Sequence, residues 1–378
     1  MTYLTYTFSK NDFGTFLYIL NLQSIILLIS HLGISTLIVS DVPSILKKYN
    51  NCLFGYLVFC LLFVILTTTL ITFVFLNILN INEKYFIYAF SFFLLTSINT
   101  LLGSFLVSLN KVLISNFIEF LVKNFIIFFL VIVSYFFFLD LVILLKIYLF
   151  SNFIVMILLV MKLKKYFKNF DLDFKFDISK KLKRIFIIGY SIFFSAISAR
   201  LDFFLIDYYY GKSYVAEFGL AVQILTIIYL PTQILHSITY PKISKLISEE
   251  KFNLLYIQIN FTKIILAIYY FLTLLFCYYF LEFLIDKIFP DNFKNINNVL
   301  IVLIFSNLIC SLFFGSEFIL HKQNLSNHVA LSFFLGLIIN FCFGIILISK
   351  FGILGAAIST SIAMIMLHLI LFIFFVKK

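Results

Sequence analysis

The sequence predicts an all-α polytopic membrane protein. Hydrophobic residues make up 63% of the 378 residues and charged residues only 12%, whereas a soluble domain carries about 25% charged residues. The mean hydropathy is +1.12. Apolar runs such as 52–79 and 261–280 reach the roughly 20 residues that a helix needs to cross the hydrocarbon core. Because a backbone in lipid must satisfy its own hydrogen bonds, these runs are expected to be helices.

Hydropathy predicts about eleven transmembrane helices along the chain. Each is a mostly apolar run bounded by a short polar or charged loop. Their approximate bounds are 13–39, 52–79, 85–109, 114–138, 141–161, 185–210, 214–239, 257–284, 297–320, 328–349 and 353–376.

Loop charges predict the orientation of these helices. The longest polar stretch, 162–184, holds nine basic residues against three aspartates. It is expected to be cytoplasmic, because cytoplasmic loops collect Lys and Arg. By alternation, the loops with Lys48, Lys111, Lys242 and Lys322 also fall inside, and so does the C-terminus. The net charge of +11 follows from these loops and requires no nucleic-acid partner.

The basic stretch divides the chain into three predicted parts. Residues 1–161 form an N-terminal helical lobe of about five spans, 162–184 a basic cytoplasmic linker, and 185–378 a C-terminal lobe of six spans. An odd number of spans with the C-terminus inside places residues 1–12 outside, although they show no signal peptide. We therefore expect the chain to lack a first helix, whose addition would make two equal lobes related as parallel repeats.

Motifs of several functional classes are absent from the sequence. It has no GxxxxGK[ST] phosphate loop, no HExxH zinc motif and no GxSxG nucleophile elbow. Neither a potassium-channel filter nor an arginine-repeat voltage sensor occurs, and the five cysteines show no ligand spacing. Transport is favoured over enzymatic chemistry, and no cofactor or metal is expected.

Charged groups inside the spans are the first functional candidates, because each costs about 2.5–3.5 kcal/mol to insert at mid-membrane. Glu119 and Lys123 are four residues apart and share a helix face. They form either a self-neutralising pair or a cavity-facing pair that an ion or phosphate opens. Arg200, Asp202 and Asp207 follow in SAISARLDFFLIDYYYG. Arg200 either lines a wet cavity, where its guanidinium group suits phosphate because it can donate two parallel hydrogen bonds, or forms a structural pair with Asp202 or with another lobe.

Polar residues predict a cavity wall in the span 214–239. Gln223, Gln233 and His236 recur along it, and Pro231 is expected to break the helix. A polar, broken helix is tolerated only where it faces protein or water.

Four segments resemble the Wzx-type polysaccharide-export flippases of the multidrug/oligosaccharidyl-lipid/polysaccharide exporter superfamily. The segment 350–365, KFGILGAAISTSIAMI, resembles the GIxGAAxxT pattern of their final helix, and Asn340 matches their usual Asn. Residues 199–244 are similar to the start of their second half, and 11–38 with the loop 43–48 to their first half. In that family the segment that corresponds to Phe13-Gly14 follows a first helix. This agrees with the expectation that the chain lacks a first helix.

The resemblance covers essentially the whole chain and implies a MATE-like fold of two pseudo-symmetric helical bundles around a central cavity. It implies a transporter rather than an enzyme. The implied substrate is an undecaprenyl-diphosphate-linked oligosaccharide, moved from the inner to the outer leaflet of the bacterial inner membrane by alternating access. The product would serve a surface polysaccharide such as O-antigen or lipopolysaccharide. The lipid bilayer and polysaccharide polymerase and chain-length proteins are the other expected partners.

On this interpretation, deep polar side chains contact the substrate. Lys263, a few turns from a span end, either snorkels to the interface or joins the diphosphate site. The expected substrate ligands are Arg200, Lys123 and Lys263 for the diphosphate, and Gln223, Gln233 and His236 for the sugars. The candidates for ion coupling or ion pairing are Glu119, Asp202 and Asp207.

Two other functions stay open at this point. A MATE-like drug or cation antiporter shares the fold but would need a carboxylate-rich cavity, whereas basic residues outnumber acidic ones within the spans. An integral-membrane glycan polymerase or transferase would need a large external loop with catalytic polar residues. The longest candidate outer loop, near 286–297, is short.

Overall fold

Every regular element that the computed structural model describes is a helix, which confirms the predicted all-α class. The described residues are 2–35, 37–39, 41–42, 53–78, 83–109, 111–135, 140–166, 185, 189, 193–194, 196–289, 296–322 and 325–376.

The helices follow the predicted apolar runs closely in the first half of the chain. They are α1 (Thr2–Thr7), α2 (Lys10–His31), α3 (Leu53–Ile78), α4 (Glu83–Ser108), α5 (Val112–Asn116), a π-helical turn (Phe117–Val122), α6 (Lys123–Tyr135) and α7 (Leu141–Lys164). Those of the second half are α8 (Leu201–Tyr210), α9 (Lys212–Ser248), α10 (Phe252–Phe276), a π-helical turn (Cys277–Leu281), α11 (Glu282–Ile288), α12 (Ile296–Ser311), α13 (Ser316–Lys322) and α14 (Ser326–Val376).

Eight helical segments of the described chain are long and apolar enough to cross a membrane, so the protein is a multi-pass membrane protein. The predicted count of about eleven is not confirmed. Two predicted spans, 328–349 and 353–376, fall within α14 and meet at Gly352, whose φ of +58° and ψ of −134° are not helical and suit glycine. The span 297–320 is divided between α12 and α13, and most of 185–195 lies outside the described residues.

The chain divides into two compact units, Met1–Asn21 with Ile197–Lys378, and Leu22–Ala196. We call them the terminal unit and the central unit. This grouping places residues 1–21 with the C-terminal half, whereas the sequence predicts an N-terminal lobe of residues 1–161, and that lobe stays a prediction. Most of the predicted linker, 167–184, lies outside the described residues.

Contacts between α2 and α9 explain why the first residues belong to the terminal unit. Lys10 forms an ion pair with the buried carboxylate of Glu217. At Gly14 the backbone of α2 lies against the carbonyl group of Lys212, where any side chain would overlap it. Glycine in this position permits a close approach of two helices.

Each unit has its own apolar core. The core of the central unit includes Ile38, Tyr56 and Phe105, and that of the terminal unit includes Ile259 and Phe314. Other large apolar side chains, including those of Leu66, Phe125 and Phe271, are more than half exposed. Exposed apolar side chains on long apolar helices are expected where the helix faces lipid.

Candidate functional site

Lys123 and Glu119 line the same cavity in the central unit. It has a volume of about 160 Å³, room for about five waters at ~30 Å³ each. The other polar side chains in its wall are Gln23, Thr96, Asn99, Thr100 and Asn152. The sequence predicted the two charged residues of this polar cavity but not its amides and hydroxyls.

Glu119 is held by α4 and α5 rather than by Lys123. Ser115 Oγ lies 2.8 Å from Glu119 Oε1 and 3.1 Å from the carbonyl oxygen of Gly103, and it can donate its one proton to either. A Cβ at Gly103 would overlap Glu119 Oε1, so glycine makes room for the carboxylate. The surrounding π-helical turn is a feature that frequently marks functional sites.

Lys123 is the cation among the described residues that line this cavity. Its half-buried ammonium group feels the charge of Glu119, but within the described chain it forms no ion pair. Beside it, Asn99 Nδ2 donates to the carbonyl oxygen of Asn152 at 2.9 Å. Asn99 Oδ1 is buried without a described hydrogen-bond partner. The cavity therefore offers an ammonium donor and an amide acceptor to a ligand.

Arg200 stands at an interruption in the helix of the terminal unit. Ala199 and Arg200 form a turn, with the Arg200 amide donating to the carbonyl oxygen of Ile197 at 3.1 Å. The half-buried guanidinium group makes no ion pair or hydrogen bond with the described residues. The sequence alternative in which it pairs with Asp202 is not observed.

The two aspartates that follow have other partners. Asp202 is buried, and its Oδ2 accepts a hydrogen bond from Thr360 Oγ1 at 2.7 Å. Asp207 Oδ2 pairs with Lys212 Nζ at 2.5 Å. That ammonium group also lies 3.1 Å from the centre of the Tyr18 ring, so Asp207 is part of a structural ion pair.

His236 lines a different cavity, also of about 160 Å³, in the terminal unit. Aromatic rings form much of its wall, and His236 Nδ1 lies 3.4 Å from the hydroxyl group of Tyr240. The remaining polar or aromatic residues of the wall are Tyr229, Thr232, Tyr270, Asn307, Ser311, Phe313, Phe314, Glu317 and His368. No sequence pattern groups these residues, which come from five helices and from the turn between α12 and α13.

The other three predicted ligands lie outside both cavities. Gln223 is half-buried and Gln233 is exposed, and neither lines the His236 cavity. Pro231 does not end the helix, because α9 runs from Lys212 to Ser248. Lys263 Nζ lies 5.8 Å from the centre of the Phe372 ring. Neither unit by itself therefore brings all six predicted ligands together.

Glu317 is a wall residue that the sequence reading missed. It is the one charged residue in the predicted span 297–320, and a carboxylate inside a membrane span is by default a functional candidate. The lone carboxylate in the apolar run SLFFGSEFIL is therefore a sequence signal that could have identified Glu317.

Comparisons with known proteins agree with this architecture. The profile of the family described as "Polysaccharide biosynthesis protein" matches residues 1–247. An inward-facing MATE multidrug-resistance transporter of the MOP superfamily superposes with a TM-score of 0.80 at 14% identity, covering 100% of this chain and 92% of that one. No curated protein matches the sequence.

Two other solved structures share the fold. The lipid II flippase MurJ, in an inward closed conformation, has a TM-score of 0.70 at 17% identity, covering 98% of this chain and 86% of that one. A MOP-superfamily transporter from Pyrococcus furiosus, described as having a binding pocket of reversed polarity, has a TM-score of 0.67 at 13% identity. The match covers 96% of this chain and 85% of that one. These similarities confirm the predicted MATE-like fold.

Proposed function

Because the chain belongs to the polysaccharide biosynthesis protein family, we propose that it is a flippase for an undecaprenyl-diphosphate-linked oligosaccharide. It moves this lipid from the inner to the outer leaflet of the bacterial inner membrane by alternating access, with its C-terminus in the cytoplasm. The product serves a surface polysaccharide such as O-antigen or lipopolysaccharide. Polymerase and chain-length proteins act next on the product.

One observation supports this proposal: within the described chain, neither Arg200, in the predicted span 185–210, nor Lys123, which lies beside Glu119 in the apolar segment 112–134, forms an ion pair. An isolated charge in a medium of low dielectric constant is strongly unfavourable. On this proposal, a lipid-linked diphosphate supplies the anion that both cations lack. Arg200 suits this ligand because a guanidinium group donates two parallel hydrogen bonds to phosphate oxygens.

The sugars explain why polar cavity walls are needed. Each hydroxyl group costs about 4–8 kcal/mol to transfer into hydrocarbon without a hydrogen-bond partner, so an oligosaccharide does not cross a bare bilayer at a useful rate. Amide and hydroxyl groups such as those of Gln23, Thr96 and Asn99 replace the lost water. The lipid tail stays in the bilayer throughout.

The membrane potential favours export of an anionic head group. Each elementary charge is worth about 2.3 kcal/mol per 100 mV. Moving two negative charges out of a negative cytoplasm therefore releases about 4.6 kcal/mol. On this proposal, Arg200 and Lys123 neutralise the diphosphate during passage and release it when the outward-open state admits water.

A translocation assay on proteoliposomes tests the proposal. We expect the purified protein to expose inner-leaflet, fluorescently labelled undecaprenyl-diphosphate oligosaccharide to an external impermeant quencher, while protein-free vesicles keep that fraction protected. Vesicles that move an organic cation but leave the labelled lipid protected would contradict the proposal and favour a drug antiporter.

A further inference from the structure

A second cavity adjoins the one that Lys123 lines in the central unit. Its volume is about 380 Å³, room for about twelve waters at ~30 Å³ each, and hence for one hexose, which has about as many non-hydrogen atoms. Thr100 and Glu119 line both cavities. We call them the Lys123 cavity and the Ser104 cavity. The polar side chains of the Ser104 cavity are Ser35, Thr100, Ser104, Ser115, Asn116 and Glu119.

The hydroxyl groups that α4 contributes to these walls have already committed their protons. Thr96, Thr100 and Ser104 follow one another at intervals of four and share a helix face. Thr100 Oγ1 donates to the carbonyl oxygen of Thr96 at 2.9 Å, and Ser104 Oγ to that of Thr100 at 2.8 Å. Thr96 Oγ1 donates to the carbonyl oxygen of Phe93 at 2.9 Å. Because a hydroxyl group has one proton and two lone pairs, these side chains offer a ligand acceptor oxygens.

The amide groups of the Lys123 cavity add to this pattern. Asn99 Nδ2 donates to the backbone and side-chain oxygens of Asn152, at 2.9 and 3.3 Å. Asn152 Nδ2 donates to the carbonyl oxygen of Tyr148 at 2.7 Å. Both amide nitrogens are therefore engaged within the protein. This wall suits a ligand that brings its own hydrogen-bond donors.

Glu119 is the one charged acceptor among the described residues of the two walls. Its Oε1 lies 2.8 Å from Ser115 Oγ, and it forms no ion pair within the part of the chain that the structure describes. A carboxylate has about four lone-pair sites on its two oxygens, so one serine leaves most of its capacity to a ligand. The donors in the walls include the amides of Gln23 and Asn116 and the ammonium group of Lys123.

We propose that Glu119 is a specificity-determining residue, which contacts the sugar next to the diphosphate and selects a non-acidic sugar. This inference rests on the proposed flippase function, because Lys123 then binds the diphosphate and the first sugar extends from it into the Ser104 cavity. Glu119 lines both cavities and so lies where the two parts of the ligand meet. Its carboxylate accepts hydrogen bonds from the hydroxyl groups of a neutral sugar or from the ammonium group of an amino sugar.

The same carboxylate excludes uronic acids. A uronic acid replaces a hydroxymethyl donor by a second carboxylate, which brings acceptors to a wall that already offers acceptors. Two like charges close together repel strongly where little water screens them. Specificity often comes from such a repulsive element against the wrong ligand rather than from an extra attraction to the right one.

Competitive binding to the full chain in detergent, followed by native mass spectrometry, tests this selection. The probes are undecaprenyl diphosphate linked to glucose, to glucosamine or to glucuronic acid, with sugar-free undecaprenyl diphosphate as the reference. Wild type is expected to bind the glucose form at least about tenfold more tightly than the glucuronic acid form. The glucosamine form should bind at least as tightly as the glucose form.

Glu119→Gln removes the charge and keeps the shape of the side chain. It is expected to tighten binding of the glucuronic acid form and to weaken binding of the glucosamine form, leaving a glucose preference below about threefold. Sugar-free undecaprenyl diphosphate should bind at least as tightly as to wild type, because Lys123 keeps its charge. A variant that is merely destabilised would weaken all four lipids together. Glu282→Gln, at an exposed position of α11, is the matched control and should keep the wild-type order.

The order of the probes on wild type decides the matter even if Glu119→Gln does not fold. Equal or tighter binding of the glucuronic acid form, with diphosphate binding intact, would overturn the sugar selection and leave the flippase function standing. An unchanged preference in a folded Glu119→Gln would remove Glu119 from the sugar site. Failure of wild type to prefer any of the four diphosphate lipids over uncharged undecaprenol would contradict the flippase function and this inference together.

Discussion

Replacing Arg200 by alanine is expected to lower the rate of lipid-linked oligosaccharide translocation by about 10- to 100-fold, because a hydrogen bond to a charged group contributes about 1.5–3 kcal/mol. The guanidinium group is half-buried and has no partner in the described chain. Its removal therefore breaks no native ion pair, and protein level and Tm should change little. Initial rates in proteoliposomes made with equal amounts of folded protein measure the effect.

Two matched variants separate charge from geometry in that experiment. Arg200→Lys keeps the charge but loses the bidentate fork, so its rate should fall between those of alanine and wild type. Lys84→Ala removes a cation whose side chain is 59% exposed and only weakly paired with Asp140; exposed pairs contribute little, so wild-type rates are expected. Equal rates for Arg200→Ala and wild type would remove Arg200 from the substrate site.

Gly14→Ala, at the one glycine of α2, is expected to lower the stability of the protein. A Cβ there would overlap the carbonyl oxygen of Lys212. That carbonyl belongs to the first residue of α9, and the Lys212 side chain is fixed by Asp207 and Tyr18, so the helices must separate. Overpacking costs about 1–3 kcal/mol, which corresponds to a fall in Tm of at least about 2 °C at the roughly 2–4 °C per kcal/mol of a large domain.

Gly336→Ala provides the control for Gly14→Ala. Its Cβ would lie 3.0 Å from the side-chain Cδ1 of Leu367, a group that can rotate away, so the change in Tm should be small. Thermal unfolding of the purified variants, followed by fluorescence or light scattering, gives the two Tm values to be compared. An unchanged Tm for Gly14→Ala would show that the contact between α2 and α9 is looser than the structure indicates.

The fold class could be predicted from the sequence because it depends on composition and on the length of the apolar runs. Long apolar stretches in a membrane must be helical, and the described helices follow those stretches. The count of about eleven spans stays a prediction: the positive φ of Gly352 divides α14 into two arms, at the boundary between the predicted spans 328–349 and 353–376. The placement of residues 1–21 depends on the contacts of Gly14 and Lys10, which join positions about 200 residues apart.

The candidate sites were predicted only in part. Intramembrane charge identified Lys123, Glu119, Arg200 and Asp202, because such charges are rare and costly. Hydropathy gave no signal for the neutral groups that surround them, such as Asn99 and Thr360, which become neighbours of those charges only through packing between helices. Helical periodicity alone does not separate Gln233, which is exposed, from His236, which lies three residues later and lines a cavity.

Equilibrium binding of the diphosphate lipid tests the central claim most directly. The measurement compares undecaprenyl diphosphate with uncharged undecaprenol, by native mass spectrometry of wild type and of an Arg200→Ala, Lys123→Met double variant. The cations are predicted to select the diphosphate over the alcohol in wild type and to lose that selectivity in the variant. Equal retention of both lipids by wild type, or unchanged selectivity in the double variant, would contradict the claim that these two side chains hold the anion.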